Sequence, residues 1–317
     1  MAGLASFRRL DVSRWPVVRE EQVGAEAKEW LKDPDGVQWL FKPVRFRADE
    51  ARIGLDWAEK VAAEIAGLLA LPHAEVELAV RGGKEGSVSR DVRVDATSAY
   101  DLRDGADQLL DVGAPGFRPS KGLPKSEKQS RPGHSLVNIA AALANVDPPT
   151  GGPAGLAAFD IFTGYLVLDA WIGNADRHDQ NWAVLEPTIG LRASRMLSPT
   201  FDHGSAFGVG LMEEQRAAWA ADDDAIQRFA RGGRATPFKN EGKATIPSLV
   251  TLAAQAIELC TAEGRRHWRI ACSALPVMEA RNVIQRVPVM SVATRTFVVR
   301  LVEENARRIR HECGHDA

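Results

Sequence analysis

Apolar positions alternate with polar ones near the start of the chain and adopt a helical period further on. Val37, Trp39 and Phe41 fall on one face of an extended segment, and Gln38, Leu40 and Lys42 on the other. Lys28-Glu29-Trp30-Leu31 precedes them, separated by Asp33-Pro34-Asp35-Gly36, a strong turn sequence. Together they predict a β-hairpin over 26–42. Ala58, Val61, Ala62, Ile65, Leu68 and Leu69 then recur at helical spacing, with Asp56 as the expected N-cap and an end before Pro72. Two further strands are expected over 75–80 and 86–94, joined through the Gly82-Gly83 turn.

The pattern changes after the first hundred residues. The segment Gly113–Ser135 is rich in Pro, Gly, Ser and Lys and reads as a loop. Helices are expected near 136–145, 155–172, 212–230, 247–263, 266–282 and 293–312. Loops interrupt them at 147–153 and 174–210, the latter with room for a short hairpin. The expected fold class is therefore α+β, with a small β-rich lobe over 1–98 and a larger helical lobe over 99–317.

Gly155–Gly173 is apolar on nearly every face but carries Asp160 and Asp169, which are costly in a bilayer. It reads as a helix buried in protein, and no membrane association is expected. The N-terminus has no apolar run suited to a signal peptide. Three widely spaced cysteines, Cys260, Cys272 and Cys313, fit a reducing, cytoplasmic setting. A formal net charge of −2 gives no basic excess, so direct nucleic-acid binding is not expected. His311-Glu312-Cys313-Gly314-His315 lacks a partner motif of zinc-ligand spacing and reads as a frayed tail.

The chemistry is concentrated in Gly173-Asn174-Ala175-Asp176-Arg177-His178-Asp179-Gln180-Asn181-Trp182, followed by Leu197-Ser198-Pro199-Thr200-Phe201-Asp202-His203-Gly204. Phosphoryl transfer from ATP needs a carboxylate that orients or deprotonates the acceptor, and oxygen ligands that hold Mg2+ on the phosphates. In protein kinases an Asp and an Asn five positions apart share one loop, and a second Asp follows on a later turn. Asp176, Asn181 and Asp202 have that order. Upstream, Lys42 closes an expected strand and Glu59 opens the next helix, where a phosphate-contacting lysine and its glutamate partner belong. Glu59 also fits a capping box with Asp56, and Glu64 is its alternative as partner. Arg177 is expected to pair with a nearby carboxylate, and Trp171 and Trp182 to anchor the loop by packing.

These segments resemble the signature of the HipA-like kinase family. So do Trp39-Leu40-Phe41-Lys42-Pro43, Glu59 with its helix running to Leu71-Pro72, and Leu102-Arg103-Asp104-Gly105. The resemblance spans roughly 24–210. It implies a protein-kinase-like bilobal fold and serine/threonine phosphorylation using ATP and Mg2+. It also implies Asp176 as catalytic base, Asn181 and Asp202 as metal ligands, Lys42 as phosphate contact and Glu59 as its partner. His178 would then lie near the transferred phosphate. Toxin members carry an extra N-terminal domain that helps engage a DNA-binding antitoxin. This chain is expected to lack that domain, and an antitoxin partner is not carried over.

Gly82–Ser87 follows the Lys42 strand and lacks the Walker pattern, so it is read as a turn. Gly24 is the candidate for backbone contact with phosphate. Ser120, Ser126, Ser130 and Ser135 are candidates for autophosphorylation or substrate docking. A protein acceptor is favoured. The alternatives are a lipid or small-molecule kinase of related fold, and a pseudokinase that binds nucleotide without turnover.

Overall fold

Asp33 organises the first hairpin through backbone and side chain together. Its Oδ1 accepts from Val37 N at 2.8 Å and its Oδ2 from the Trp39 indole at 3.0 Å, while Gly36 takes a left-handed φ of 86°. The result, in a computed structural model describing residues 4–21, 28–93, 99–119, 131–188, 193–238 and 246–314, is β3 (Lys28–Lys32) paired antiparallel with β4 (Gln38–Pro43). Three strands complete one side and the far edge: β7 (Val76–Arg81), β8 (Lys84–Arg90) and β1 (Arg9–Asp11). On the other edge lies β2 (Val17–Glu21). The sheet order is β1-β7-β8-β4-β3-β2, with only β1 and β7 parallel. Gly82 and Gly83 both have positive φ and close the two-residue turn from β7 to β8.

Register divides the sheet into two faces. Leu31 opposes Trp39 and Phe41 opposes Val88; these bury a small core with Val12 and Ala79. Trp30 opposes Leu40 and Lys42 opposes Ser87 on the other face. Gly86 is required here, because a Cβ would strike the Lys42 carbonyl oxygen and the Phe41 ring.

A short pair, β5 (Arg45–Phe46) and β6 (Arg52–Ile53), leads into α1 (Leu55–Leu68). Gly54, rather than Asp56, stands at the N-cap, and no side chain caps the helix. Asp56 sits inside the first turn, where its Oδ2 takes the Arg52 guanidinium at 2.6 Å, so the capping role falls away. Ala58, Val61, Ala62 and Ile65 are fully buried.

The rest comprises β9 (Tyr100–Asp104), α2 (Gly105–Asp111), α3 (Leu136–Ala142), α4 (Ala158–Ile172), β10 (Ala183–Pro187), β11 (Met196–Leu197) and six later helices. The later helices are α5 (Glu213–Ala220), α6 (Asp223–Gly232), α7 (Leu249–Leu259), α8 (Ala262–Ser273), α9 (Val277–Gln285) and α10 (Val292–Cys313). β11, β10 and β9 form a second, antiparallel sheet. Every residue of α4 is buried. Its two acids are both satisfied: Asp160 accepts from Thr261 N at 2.9 Å and Thr261 Oγ1 at 2.6 Å, and Asp169 belongs to the site below. Among the described residues no helix is long and apolar enough to cross a membrane.

Three expected helix boundaries move for identifiable reasons. The helix expected over 212–230 is two, because Asp222 Oδ1 caps Asp224 N and Ala225 N and restarts the helix. The helix expected over 247–263 stops at Leu259, and Thr261 caps the next one through Gly264 N. The one expected over 266–282 is broken before Pro276, which cannot continue a helix. β8 begins at Lys84, earlier than expected. Strands β1, β2 and β9 and helix α2 add to the elements that the sequence pattern predicts. Gly24, Ser120, Ser126, Ser130 and His315 lie outside the described residues, as does the proposed lobe boundary's flank at 94–98. Ser135 is described: its Oγ caps α3 by accepting from Asn138 N at 3.3 Å. All three cysteines are free and buried.

Candidate active site

Gly173, at φ 70°, ends α4 in a left-handed C-cap and turns the chain into the Asp176 loop. Arg177 then fastens that loop from within. Its guanidinium is buried and donates to both Asp169 oxygens, at 2.7 and 2.8 Å. A further donor reaches the Asn181 carbonyl at 2.7 Å, and another reaches His203 Nε2 at 3.2 Å. Asn174 Nδ2 adds a bond to Asp169 Oδ1 at 2.8 Å. A bidentate buried pair of this kind fixes orientation in a way a lysine cannot. The indoles of Trp171 and Trp182 are buried on either side, donating to the Val302 carbonyl and to His134 Nε2, each at 3.2 Å.

Lys42, Glu59 and Asp202 meet at one point. Lys42 Nζ lies 2.8 Å from Glu59 Oε1 and 2.6 Å from Asp202 Oδ1. Glu59 Oε2 accepts from His203 N at 2.9 Å, so its two oxygens link β4, α1 and the Asp202 turn. Asp202 itself has φ 61°, a left-handed conformation that Asp tolerates better than most side chains. Burial opposes the charge on Lys42, but Asp202 and Glu59 outweigh it and raise its pKa. The Lys42 ammonium is also the main reason the Asp202 carboxyl is held far below the usual range, against a smaller effect of burial. Burial pushes Glu59 up, with Lys42 pulling it back. One ammonium against two carboxylates leaves one negative charge, which suits an arriving cation.

The Asp176 loop and the Asp202 turn are joined directly. Arg177 reaches His203, and Ser205 Oγ donates to Asp176 Oδ2 at 3.2 Å. Asp176 is otherwise open, with its side chain 49% exposed. Asn181 Nδ2 donates to the Asp176 carbonyl at 2.7 Å, which turns its amide oxygen into the available end. His178 Nδ1 accepts from Gln180 N at 3.1 Å, and its Nε2 lies 3.9 Å from Asp176 Oδ1. Burial lowers the His178 pKa, partly offset by Asp176, so the ring is neutral near pH 7. A cleft of about 660 Å³ is lined by Lys42 and Asp202 together with Trp30, Leu40, Gln180 and Phe201. Its floor is the Trp30–Leu40 face of the sheet. Asp91, Val92 and Arg93 form one wall.

Several contributors were not read from the sequence. Asp169 carries a usable signal, one of only two acids in an apolar helix and eight residues before Arg177. Ser205, Thr200 and the Asp91–Arg93 wall carry none. Thr200 Oγ1 contacts His203 Nε2 at 2.9 Å, a tertiary relation with no sequence pattern. Among the described residues no group of three or more His, Cys, Asp or Glu is arranged to hold a metal. Asp202 and Asn181 supply side-chain oxygens of the kind that could hold an ion together with a nucleotide's phosphates.

His134 supports this loop from beneath and gives the fold a pH dependence. It is buried; Nδ1 donates to the Pro237 carbonyl at 3.0 Å while Nε2 accepts from Trp182. Burial lowers its pKa from 6.5 to about 3. The unfolded chain therefore binds the extra proton between those values, and folded stability falls as pH drops from 6.5 toward 3. Buried His203 acts in the same direction. His134→Gln should lower the melting temperature at neutral pH and flatten its decline on acidification. Parallel melting curves against pH would contradict this.

No family model matches the sequence, and no curated protein sequence matches it. Solved structures do. The proinflammatory kinase CtkA of Helicobacter pylori superposes with a TM-score of 0.68 at 15% identity, covering 96% of this chain and 99% of that one. HipA of Shewanella oneidensis, solved with HipB and operator DNA, gives 0.47 at 13% identity over 98% of this chain and 66% of that one. A Golgi casein kinase gives 0.43 at 14% identity over 95% and 72%. The first spans both chains almost completely: this chain is a kinase-fold protein, bilobal and α+β, with a small β-rich lobe and a larger helical one.

Proposed function

We propose that this protein is an ATP- and magnesium-dependent phosphotransferase, a HipA-like serine/threonine protein kinase with its lobes divided near residues 98 and 99. The observation that carries the reading is the meeting of Lys42, Glu59 and Asp202 at one point, with Lys42 and Asp202 lining the cleft and the Asp176 loop tied to the same turn. Adenine lies against Trp30 and Leu40. Lys42 contacts the phosphates, and Glu59 holds its ammonium in place. The donor set fits a magnesium ion: a carboxylate kept ionised at Asp202 and an amide oxygen at Asn181, both hard ligands. When bound, the ion neutralises phosphate charge.

Asp176 orients the acceptor hydroxyl and takes its proton. The acceptor oxygen bonds to the γ-phosphorus as the bond to the β–γ bridging oxygen breaks, leaving ADP. His178, neutral and beside Asp176, donates to the transferred phosphate. Catalysis is then mostly positioning and charge neutralisation. A cytoplasmic setting is consistent with three free thiols kept buried.

The test is a panel assay with γ-labelled ATP and magnesium against protein, lipid and small-molecule acceptors. Label on serine or threonine of a protein is expected. Label only on lipid or small molecules would replace the protein-kinase reading. Thermal stabilisation by nucleotide with no transfer to any acceptor would remove catalysis altogether.

A further inference from the structure

A second cavity, of about 880 Å³, is lined in part by Gly173 and Ala175 of the Asp176 loop. Ser205, whose hydroxyl donates to Asp176 Oδ2 at 3.2 Å, lies on its rim. Phe229 of α6 and Leu301 of α10 supply apolar wall. Arg228, Arg234 and Arg308 line it as well, and among the described residues no Asp or Glu does. Of these, Arg228 and Arg234 are weakly committed elsewhere, whereas Arg308 is held in place. Arg228 is exposed and only 3.6 Å from Asp222 Oδ2. Arg234 is exposed and donates to the Arg231 carbonyl at 3.2 Å. Arg308 is nearly buried: one nitrogen donates to the Ala230 carbonyl at 2.6 Å, and another sits 3.9 Å from Glu312.

Three guanidiniums around one apolar-walled cavity, without a lining carboxylate among the described residues, form a site for anions. Its position beside the proposed base makes it the natural place for the acceptor. We infer that this cavity is the acceptor site and that it selects peptides in which the phosphorylated serine or threonine is accompanied by acidic side chains. The inference rests on the kinase reading above and adds the substrate class. The hydroxyl enters beside Ser205 and Asp176, and a neighbouring carboxylate is received by Arg228 and Arg234. Arg308 holds the inner wall and contributes positive potential there. An extended peptide with an acidic flank satisfies both ends of the cavity; a basic flank is repelled.

The full chain is incubated with ATP, magnesium and a degenerate library of serine and threonine peptides. Phosphorylated products are then sequenced for flanking preference. Wild type should enrich Asp and Glu. Arg228→Gln with Arg234→Gln should reduce that enrichment by about tenfold, the scale of one lost charge-assisted hydrogen bond. Arg228→Glu with Arg234→Glu should shift preference toward Lys and Arg, a reversal that general damage to the fold does not produce. The rise in melting temperature with ATP and magnesium monitors the nucleotide site in each variant. Neutral or basic preference in wild type would overturn the inference. So would an acidic preference unchanged in both variants, or transfer confined to small anionic molecules. No nucleotide stabilisation and no transfer to any acceptor would instead overturn the kinase reading, and this inference with it.

Discussion

Asp176→Asn should leave the fold and ATP binding intact while lowering phosphate transfer by roughly 10²–10⁴-fold, the range for removing a positioned general base. The loop does not depend on this carboxylate for its shape. Asn181 holds the Asp176 carbonyl, and Arg177, bound to Asp169, holds the Asn181 carbonyl. The side chain's bond is the one donated by Ser205, and an amide oxygen can accept it equally well. What the amide cannot do is accept the acceptor's proton. Single-turnover transfer of label, beside melting curves with and without ATP, separates the two effects. Wild-type transfer by the variant would sink the assignment of Asp176.

The second large effect is expected at Lys42. Lys42→Met strips Glu59 of its charge partner while the Glu59 side chain remains only 4% exposed. Breaking a largely buried pair from one side costs about 3 kcal/mol, because the remaining charge is stranded. Urea unfolding should register that loss. Adding Glu59→Gln should recover most of the stability, since a neutral amide still accepts from His203 N and carries no stranded charge. Transfer should stay abolished in both, because the phosphates have lost their cation. Equal stability of Lys42→Met and wild type would contradict the triad's energetics.

The site was more legible in the sequence than its supports were. Lys42 and Leu40 fall on one face by simple alternation, and both line the cleft. Asp176, Asn181 and Asp202 stand out through spacing. The hairpin at 28–43 and the buried helix α4 were readable because turn chemistry and apolar period agree there. Helix ends were harder. Asp56 has the right residue type for a cap, but an arginine four residues earlier captures it. Asp222 looks like one more polar residue in a helix and in fact restarts one. Glu59 satisfied two local patterns at once, and the contact with Lys42, seventeen residues away in sequence, decides between them. The edge strands β1 and β2 escaped for a related reason: they are short, mostly exposed, and held by partners distant in sequence or by pairing without burial.

The most direct measurement is a crystal structure of the protein with a non-hydrolysable ATP analogue and magnesium. The account predicts adenine between Trp30 and Leu40 and the rest of the cleft, and Lys42 on the phosphates. It predicts the ion on the oxygens of Asp202 and Asn181, with the terminal phosphate facing Asp176. A nucleotide bound elsewhere, or an ion that touches neither Asp202 nor Asn181, would contradict it.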